Sequence, residues 1–252
     1  MAIWDDPQTR TERSGFTTAT VGVPRATRDA GLRSYMLSVY NYMASGVLLT
    51  GIIALGFANS SLINLIVNPA TGQATPLFWI ALFAPLAVVF ALSFGINRIS
   101  AGTAQALFWI YAALVGVQFS SLFLVYTGVS IAQTFFAVAA GFAGLSLWGY
   151  TTKKDLSGMG SFLIMGVFGL FVALIINMFL RSPGLQLATS AIGVLLFAGL
   201  TAYDTQKIKS IYFVVAGNGE AMAKTAVIGA LNLYLDFINM FLFLLRFMGQ
   251  RR

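Results

Sequence analysis

The chain contains no cysteine and no histidine, and only eight of its 252 residues are acidic. Without cysteine there are no disulfides, thiolate metal ligands or thiol nucleophiles. Without histidine there is no Ser-His triad, no imidazole metal site and no side chain that ordinarily titrates near neutral pH. Any proton sensing falls to carboxylates. Charge of either sign is scarce: 9% of residues are charged, against 58% hydrophobic and a mean hydropathy of +0.82. Soluble domains run nearer ~45–50% apolar and ~25% charged. One core cannot hide that much apolar surface, nor can so few charges coat an exterior, which excludes a soluble globular protein and a disordered one. A multi-pass membrane protein remains. The net charge of +7 does not point to nucleic acid, because the basic residues sit mostly at the ends of apolar runs, where membrane topology accounts for them.

Apolar runs long enough to cross a bilayer as helix, about 20 residues, lie at 35–57, 77–96, 105–126, 131–150, 160–180, 185–203 and 222–247. Polar breaks separate them, among them Asn68-Pro69 with Thr71-Gly72, Asn97-Arg98, Thr127-Gly128, Lys153-Lys154-Asp155 and Arg181-Ser182-Pro183-Gly184. Nothing alternates as in a membrane barrel. The expectation is an all-α polytopic bundle spanning residues 35–252, preceded by a flexible cytosolic tail over 1–34. That tail is too long and polar for a signal peptide.

Arg10, Arg13, Arg25, Arg28, Arg33, Arg98, Lys153, Lys154, Lys207, Lys209 and Lys224 fall on one side of such a bundle, and in the opposite loops only Arg181. The positive-inside rule then places the N-terminus in the cytosol. Arg246, Arg251 and Arg252 resist this pattern: either the seventh run turns back as a re-entrant hairpin, or it spans and three late positives are tolerated. Gly141 with Gly144, Gly166 with Gly169, and Thr189 with Gly193 read as small residues that let helices approach closely.

Six acids lie in the tail or in loops; Asp204 and Asp236 do not. A carboxylate in a membrane helix costs roughly 2.5–3.5 kcal/mol, so each is expected to face a protein interior or a water-filled cavity. Asn232 at i−4 and Asn239 at i+3 share the helical face of Asp236, and Arg246 continues it. Thr201 stands one turn before Asp204 and Lys207 one turn after. Two carboxylates brought together share a proton more cheaply than they both ionise. They hold two helices together when protonated and push them apart when both are charged, and their oxygens suit a hard cation such as Ca²⁺. The plainer readings are an interfacial Asp204 beside Lys207, an ion-paired structural Asp236 and interhelical glue for the two asparagines.

Phe197-Ala-Gly-Leu-Thr-Ala-Tyr-Asp-Thr-Gln-Lys-Ile-Lys209 and Leu233-Tyr-Leu-Asp-Phe-Ile-Asn-Met-Phe-Leu-Phe-Leu-Leu-Arg246 resemble two blocks of the Bax inhibitor-1 family, and the chain is most similar to its bacterial inner-membrane branch. Thr151 to Phe162 matches a third block and Asn97-Arg98-Ile99-Ser100 a looser fourth. The resemblance covers about residues 33–250. It implies seven membrane helices with the last one central, and a pH-sensitive Ca²⁺ leak. It also implies that Asp204 and Asp236 form the pH sensor, and that an arginine of the second helix, here Arg98, competes with the proton for the pair. Asp204 and Asp236 are then the candidate metal ligands, with Ca²⁺ as the transported ion and no resident cofactor, while Asn232, Asn239 and Thr201 are candidate polar residues of a pore or helix interface. Against the family pattern, Ser210 to Ala230 reads as a long cytosolic linker. The second run carries no acid that might add a cation ligand.

Two other functions compete. A di-aspartyl intramembrane protease would share Tyr203-Asp204, but its Gly-x-Gly-Asp half is absent, since Leu233-Tyr234-Leu235 precedes Asp236; no enzymatic activity is expected. A non-conducting membrane partner that regulates a membrane protease or a stress response is the alternative, and the polar tail is where such a partner would bind.

Overall fold

The computed structural model describes residues 25–69, 71–96 and 98–252. Seven helices long and apolar enough to span a membrane build it. They are α1 (Arg25–Ala58), α2 (Pro76–Gly95), α3 (Ala101–Phe119), α4 (Gly128–Thr151), α5 (Ser157–Leu180), α6 (Pro183–Val215) and α7 (Gly219–Met248). One further turn, Leu122–Val125, prolongs the third span.

The boundaries follow local chemistry. Ser100, Thr127, Ser182 and Asn218 cap α3, α4, α6 and α7 by accepting a backbone N–H of the first turn. Pro76 and Pro183 occupy first-turn positions, where the missing N–H costs nothing. Between α1 and α2, Gly72 takes φ +67° in the reversal that pairs Asn68 with Gln73. Ahead of α5, Asp155 Oδ1 accepts the Ser157 N–H at 2.9 Å, and hydrogen bonds from the Ser157 side chain and backbone hold this exposed carboxyl below its ordinary pKa of 3.8. A depressed pKa means a stabilising contribution present at neutral pH and lost as pH falls through the folded-state value. Thermal unfolding of Asp155→Ala should therefore lie below wild type at pH 7, and the two curves should merge as the pH drops beneath the ordinary carboxylate range; a gap that persists there would assign the loss to something other than charge.

α7 is the central helix. It packs against α1, α3, α4 and α6, while α2 packs chiefly on α3 and α5 chiefly on α6. Two-thirds of its apolar window is buried, against 11% for that of α5. Tyr234 of α7, with no exposed surface, donates its hydroxyl to Thr50 Oγ1 at 2.6 Å, and Thr50 donates to the Ala112 carbonyl at 2.9 Å. One hydrogen-bonded chain thus ties α7 to α1 and α3. Phe108 and Tyr111 meet the Tyr234 ring edge-on.

Three sequence expectations change. The first helix begins at Arg25, so residues 25–34 belong to it rather than to a tail; residues 1–24 lie outside the described residues. The stretch from Ser210 to Ala230 is not a linker: α6 runs to Val215, α7 starts at Gly219, and the connection is three residues. The seventh run is one continuous helix rather than a re-entrant hairpin. Its far end is fastened: Thr127 donates to the Gln250 carbonyl, Arg252 donates to the Val125 carbonyl, and Gln250 N–H donates to Ser130 Oγ. Arg251 and Arg252 therefore share an end of the bundle with the α3–α4 loop.

Candidate functional site

α6 and α7 run antiparallel. Ile208 lies on Gly229, and Phe197 stacks on Phe243 at 5.8 Å between ring centroids. The first contact sets Asp236 level with Thr201 and the second sets it level with Asp204. The two acids therefore stand within about one helical turn, ~5 Å, of each other along the helix axes.

Both carboxyl-bearing residues line one cavity of about 440 Å³ between α5, α6 and α7, together with Asn232, Asn239 and Arg246. Val167, Leu170, Phe171 and Leu174 of α5 form its apolar wall. From Asn232 to Arg246 the polar stripe runs fourteen residues, or ~21 Å of helix. Asp236 is 4% exposed and its Oδ2 has no hydrogen-bond partner; Asp204 is half-buried. The charge that acts on Asp236 is Asp204, and the cation that acts on Asp204 is Lys207. Asn239 donates to the Leu235 carbonyl at 2.8 Å, which leaves its amide oxygen available to the cavity. Arg246 lies at the far end, its guanidinium 5.8 Å from the Phe243 ring centroid.

Two predicted site residues stand elsewhere. Thr201 is fully buried and donates to the Phe197 carbonyl within its own helix; it is absent from the cavity lining. Arg98 is exposed just beyond α2, which packs chiefly on α3, and does not line the cavity. Arg246 is the cation that does. Its spacing from Asp236 places it on that face, whereas Arg98 rests on its place as the cation at the end of the second run and on the loose family match. For a cation, the cavity offers the carboxylates of Asp204 and Asp236 and the amide oxygens of Asn232 and Asn239. Among the described residues there is no cluster of three or more acidic, cysteine or histidine side chains.

The residues around Asp204 that sequence reasoning missed do a different job. Thr205 Oγ1 accepts from Ser146 Oγ at 2.9 Å, and Ser146 accepts from the Tyr40 hydroxyl at 2.6 Å. Gln206 accepts the Leu156 N–H and donates to the Lys154 carbonyl, both at 2.8 Å. Lys209 donates to the Tyr150 carbonyl at 2.7 Å. The turn after Asp204 is thus bolted to the end of α4 and the α4–α5 loop, while Asp204 alone of that turn faces the cavity. No periodicity announces such contacts, since each is a single polar residue meeting a backbone group or another lone hydroxyl.

Comparison with known proteins agrees with this architecture. The family described as inhibitor of apoptosis-promoting Bax1 matches residues 32–252. A protein of Rickettsia prowazekii is 48% identical over 235 residues, covering 93% of this chain and 97% of its own. The inner membrane protein YbhL of Escherichia coli K12 is 45% identical over 225 residues, covering 88% and 94%. A membrane protein of Streptococcus pyogenes is 36% identical over 225 residues, covering 88% and 95%. With seven membrane-spanning helices, the last one central, and a family match that runs from the first span to the final residue, the chain belongs to the Bax inhibitor-1 family of integral membrane proteins.

Proposed function

We propose that this protein is a cation leak pathway, passing Ca²⁺ and gated by protonation of Asp204 and Asp236. The observation that carries the reading is the shared cavity: two intramembrane acids from different helices line it, and one buried carboxylate oxygen is left without a partner. Such a group is expensive in a membrane and marks an ion or proton route by default. Sharing a proton, the pair draws α6 and α7 together. Fully ionised, it repels across the cavity and presents oxygen ligands to a hard cation. Arg246 is the cation that lines the cavity with the pair, Lys207 acts on Asp204 from one turn farther along α6, and α5 contributes only apolar side chains to the lining. The reading assigns no catalysis.

We also place the protein in the cytoplasmic membrane with its N-terminus in the cytosol. Arg33, Arg98, Lys153, Lys154, Lys207, Lys209 and Lys224 gather toward one end of the bundle, and Arg181, Arg246, Arg251 and Arg252 toward the other. The inner-membrane name of the Escherichia coli relative supports the location.

The test is Ca²⁺ efflux from liposomes containing purified protein across a pH series. Wild type should leak in a pH-dependent manner, with Asp204→Asn and Asp236→Asn each flattening that dependence. Leak whose pH profile is the same in both variants as in wild type would remove the pair from the mechanism.

A further inference from the structure

A larger cavity, about 640 Å³, lies on the other side of the central helix. It is a cleft between α1 and α4, with Phe237 of α7 as its floor. Between Arg33 and Tyr150 at one end and Val47 and Phe135 at the other, its walls are apolar apart from Tyr40 and Ser146, whose hydroxyls already engage each other and Thr205. The interior therefore offers a surface for hydrocarbon.

Its length and its charge narrow the occupant. On α1 the lining runs from Arg33 to Val47, and on α4 from Tyr150 back to Phe135. These are fourteen and fifteen residues, ~21–22 Å of helix. Half a bilayer, headgroups included, is about 20–22 Å thick. The cleft thus matches one leaflet from headgroup to midplane. At the headgroup end stands Arg33, exposed. Lys209 is there too, its ammonium 4.9 Å from the Tyr150 ring centroid. No acid lines the cleft, and among the described residues the salt bridge is Lys224–Glu220, so neither cation is paired with a carboxylate. A helix of a second copy, 10–12 Å across, would fill on the order of 1,600 Å³ over that length, far more than the space present.

We propose that this cleft is a binding site for an anionic phospholipid, one acyl chain lying between α1 and α4 over Phe237 and the phosphate resting on Arg33 and Lys209. The lipid fills a gap between two helices that pack on α7 from either side, and so becomes part of the bundle's wall. An anionic headgroup is selected because two cations without a carboxylate partner stand at that end and no acid lines the cleft.

Native mass spectrometry of the full chain, exchanged into phosphatidylglycerol or phosphatidylcholine, tests this. Wild type should retain one phosphatidylglycerol per chain under conditions that strip phosphatidylcholine. Ala143→Phe fills the cleft and should lose the lipid while its delipidated melting temperature stays at that of wild type. Arg33→Gln should weaken retention about tenfold, the scale of one charge-assisted contact, whereas Arg98→Gln, which removes a cation from the same end but off the cleft, should not. Equal retention of the two lipids, or full retention by Arg33→Gln, overturns the assignment even if Ala143→Phe fails to fold. So does a rise in retention on deleting residues 1–24, because the chain's own N-terminus would then be the occupant.

Discussion

Gly149→Ala should lower the melting temperature of the detergent-solubilised protein by about 6–20 °C. A Cβ at this position would lie 2.3 Å from the Ala202 carbonyl oxygen and 2.9 Å from its Cα. Both are backbone atoms, so no rotamer change relieves the clash; α4 and α6 must part by about an ångström to reach ordinary contact. Overpacking of this kind costs typically ~1–3 kcal/mol. The separation also strikes what the contact aligns. Ser146 and Tyr150 lie within one turn of Gly149, and their bonds to Thr205 and Lys209, with the Gln206 clamp one turn on, depend on that spacing. Each weakened bond adds ~0.5–1.5 kcal/mol. The total is ~3–5 kcal/mol, and a chain of this size loses about 2–4 °C per kcal/mol. Gly141→Ala and Gly144→Ala are the controls. Nothing lies within 4 Å of a Cβ at either site, and alanine is the better helix former by up to ~1 kcal/mol, so both should hold or gain stability. A Gly149→Ala variant that melts with the controls would show that the two helices are not locked at this point.

That contrast shows where the sequence was legible and where it was not. The glycine pairs Gly141 with Gly144 and Gly166 with Gly169 look like packing motifs, yet Gly141, Gly144 and Gly169 meet open space, while Gly166 meets Leu196 and Gly149 bears the backbone contact. In a membrane the lipid-facing and protein-facing sides of a helix are equally apolar, so composition does not separate them. The spans themselves were legible because hydropathy over twenty residues has one meaning. The stripe of Asn232, Asp236, Asn239 and Arg246 was legible because polar residues on an apolar helix are rare enough for their spacing to be read. Which helix covers the stripe was not: α5 supplies Val167, Leu170, Phe171 and Leu174, residues as compatible with lipid as with protein. Arg98 went astray for a related reason. A cation at a helix end satisfies topology wherever it points, and only the packing of α2 against α3 shows that it stands away from α5, α6 and α7.

Asp236→Asn should raise the melting temperature by about 2–8 °C and, under the proposed gating, flatten the pH dependence of Ca²⁺ efflux. The side chain is 4% exposed, lies in the middle of a 30-residue helix and has an oxygen with no partner. Leaving a buried polar atom unsatisfied costs ~1–3 kcal/mol, and the neighbouring charge is another carboxylate. Nothing in the fold repays this: no cation is paired with Asp236, and Arg246 stands ten residues, ~15 Å, farther along the helix. Asparagine keeps the shape and removes the charge, for an expected gain of ~1–2 kcal/mol at about 2–4 °C per kcal/mol. That stability cost fits the proposed gate, in which the unpaired carboxylate serves ion passage rather than packing. Asp204→Asn should shift stability little, because that residue is half-buried and already feels Lys207. The double variant should gain no more than Asp236→Asn alone, since removing either charge relieves the repulsion between them, and the cycle of four proteins measures that coupling directly. A melting temperature several degrees lower in Asp236→Asn would reverse the conclusion. Asp236 would then be a brace between α6 and α7 whose bonds form within the folded cavity, and the case for a gate in this position would fall with it.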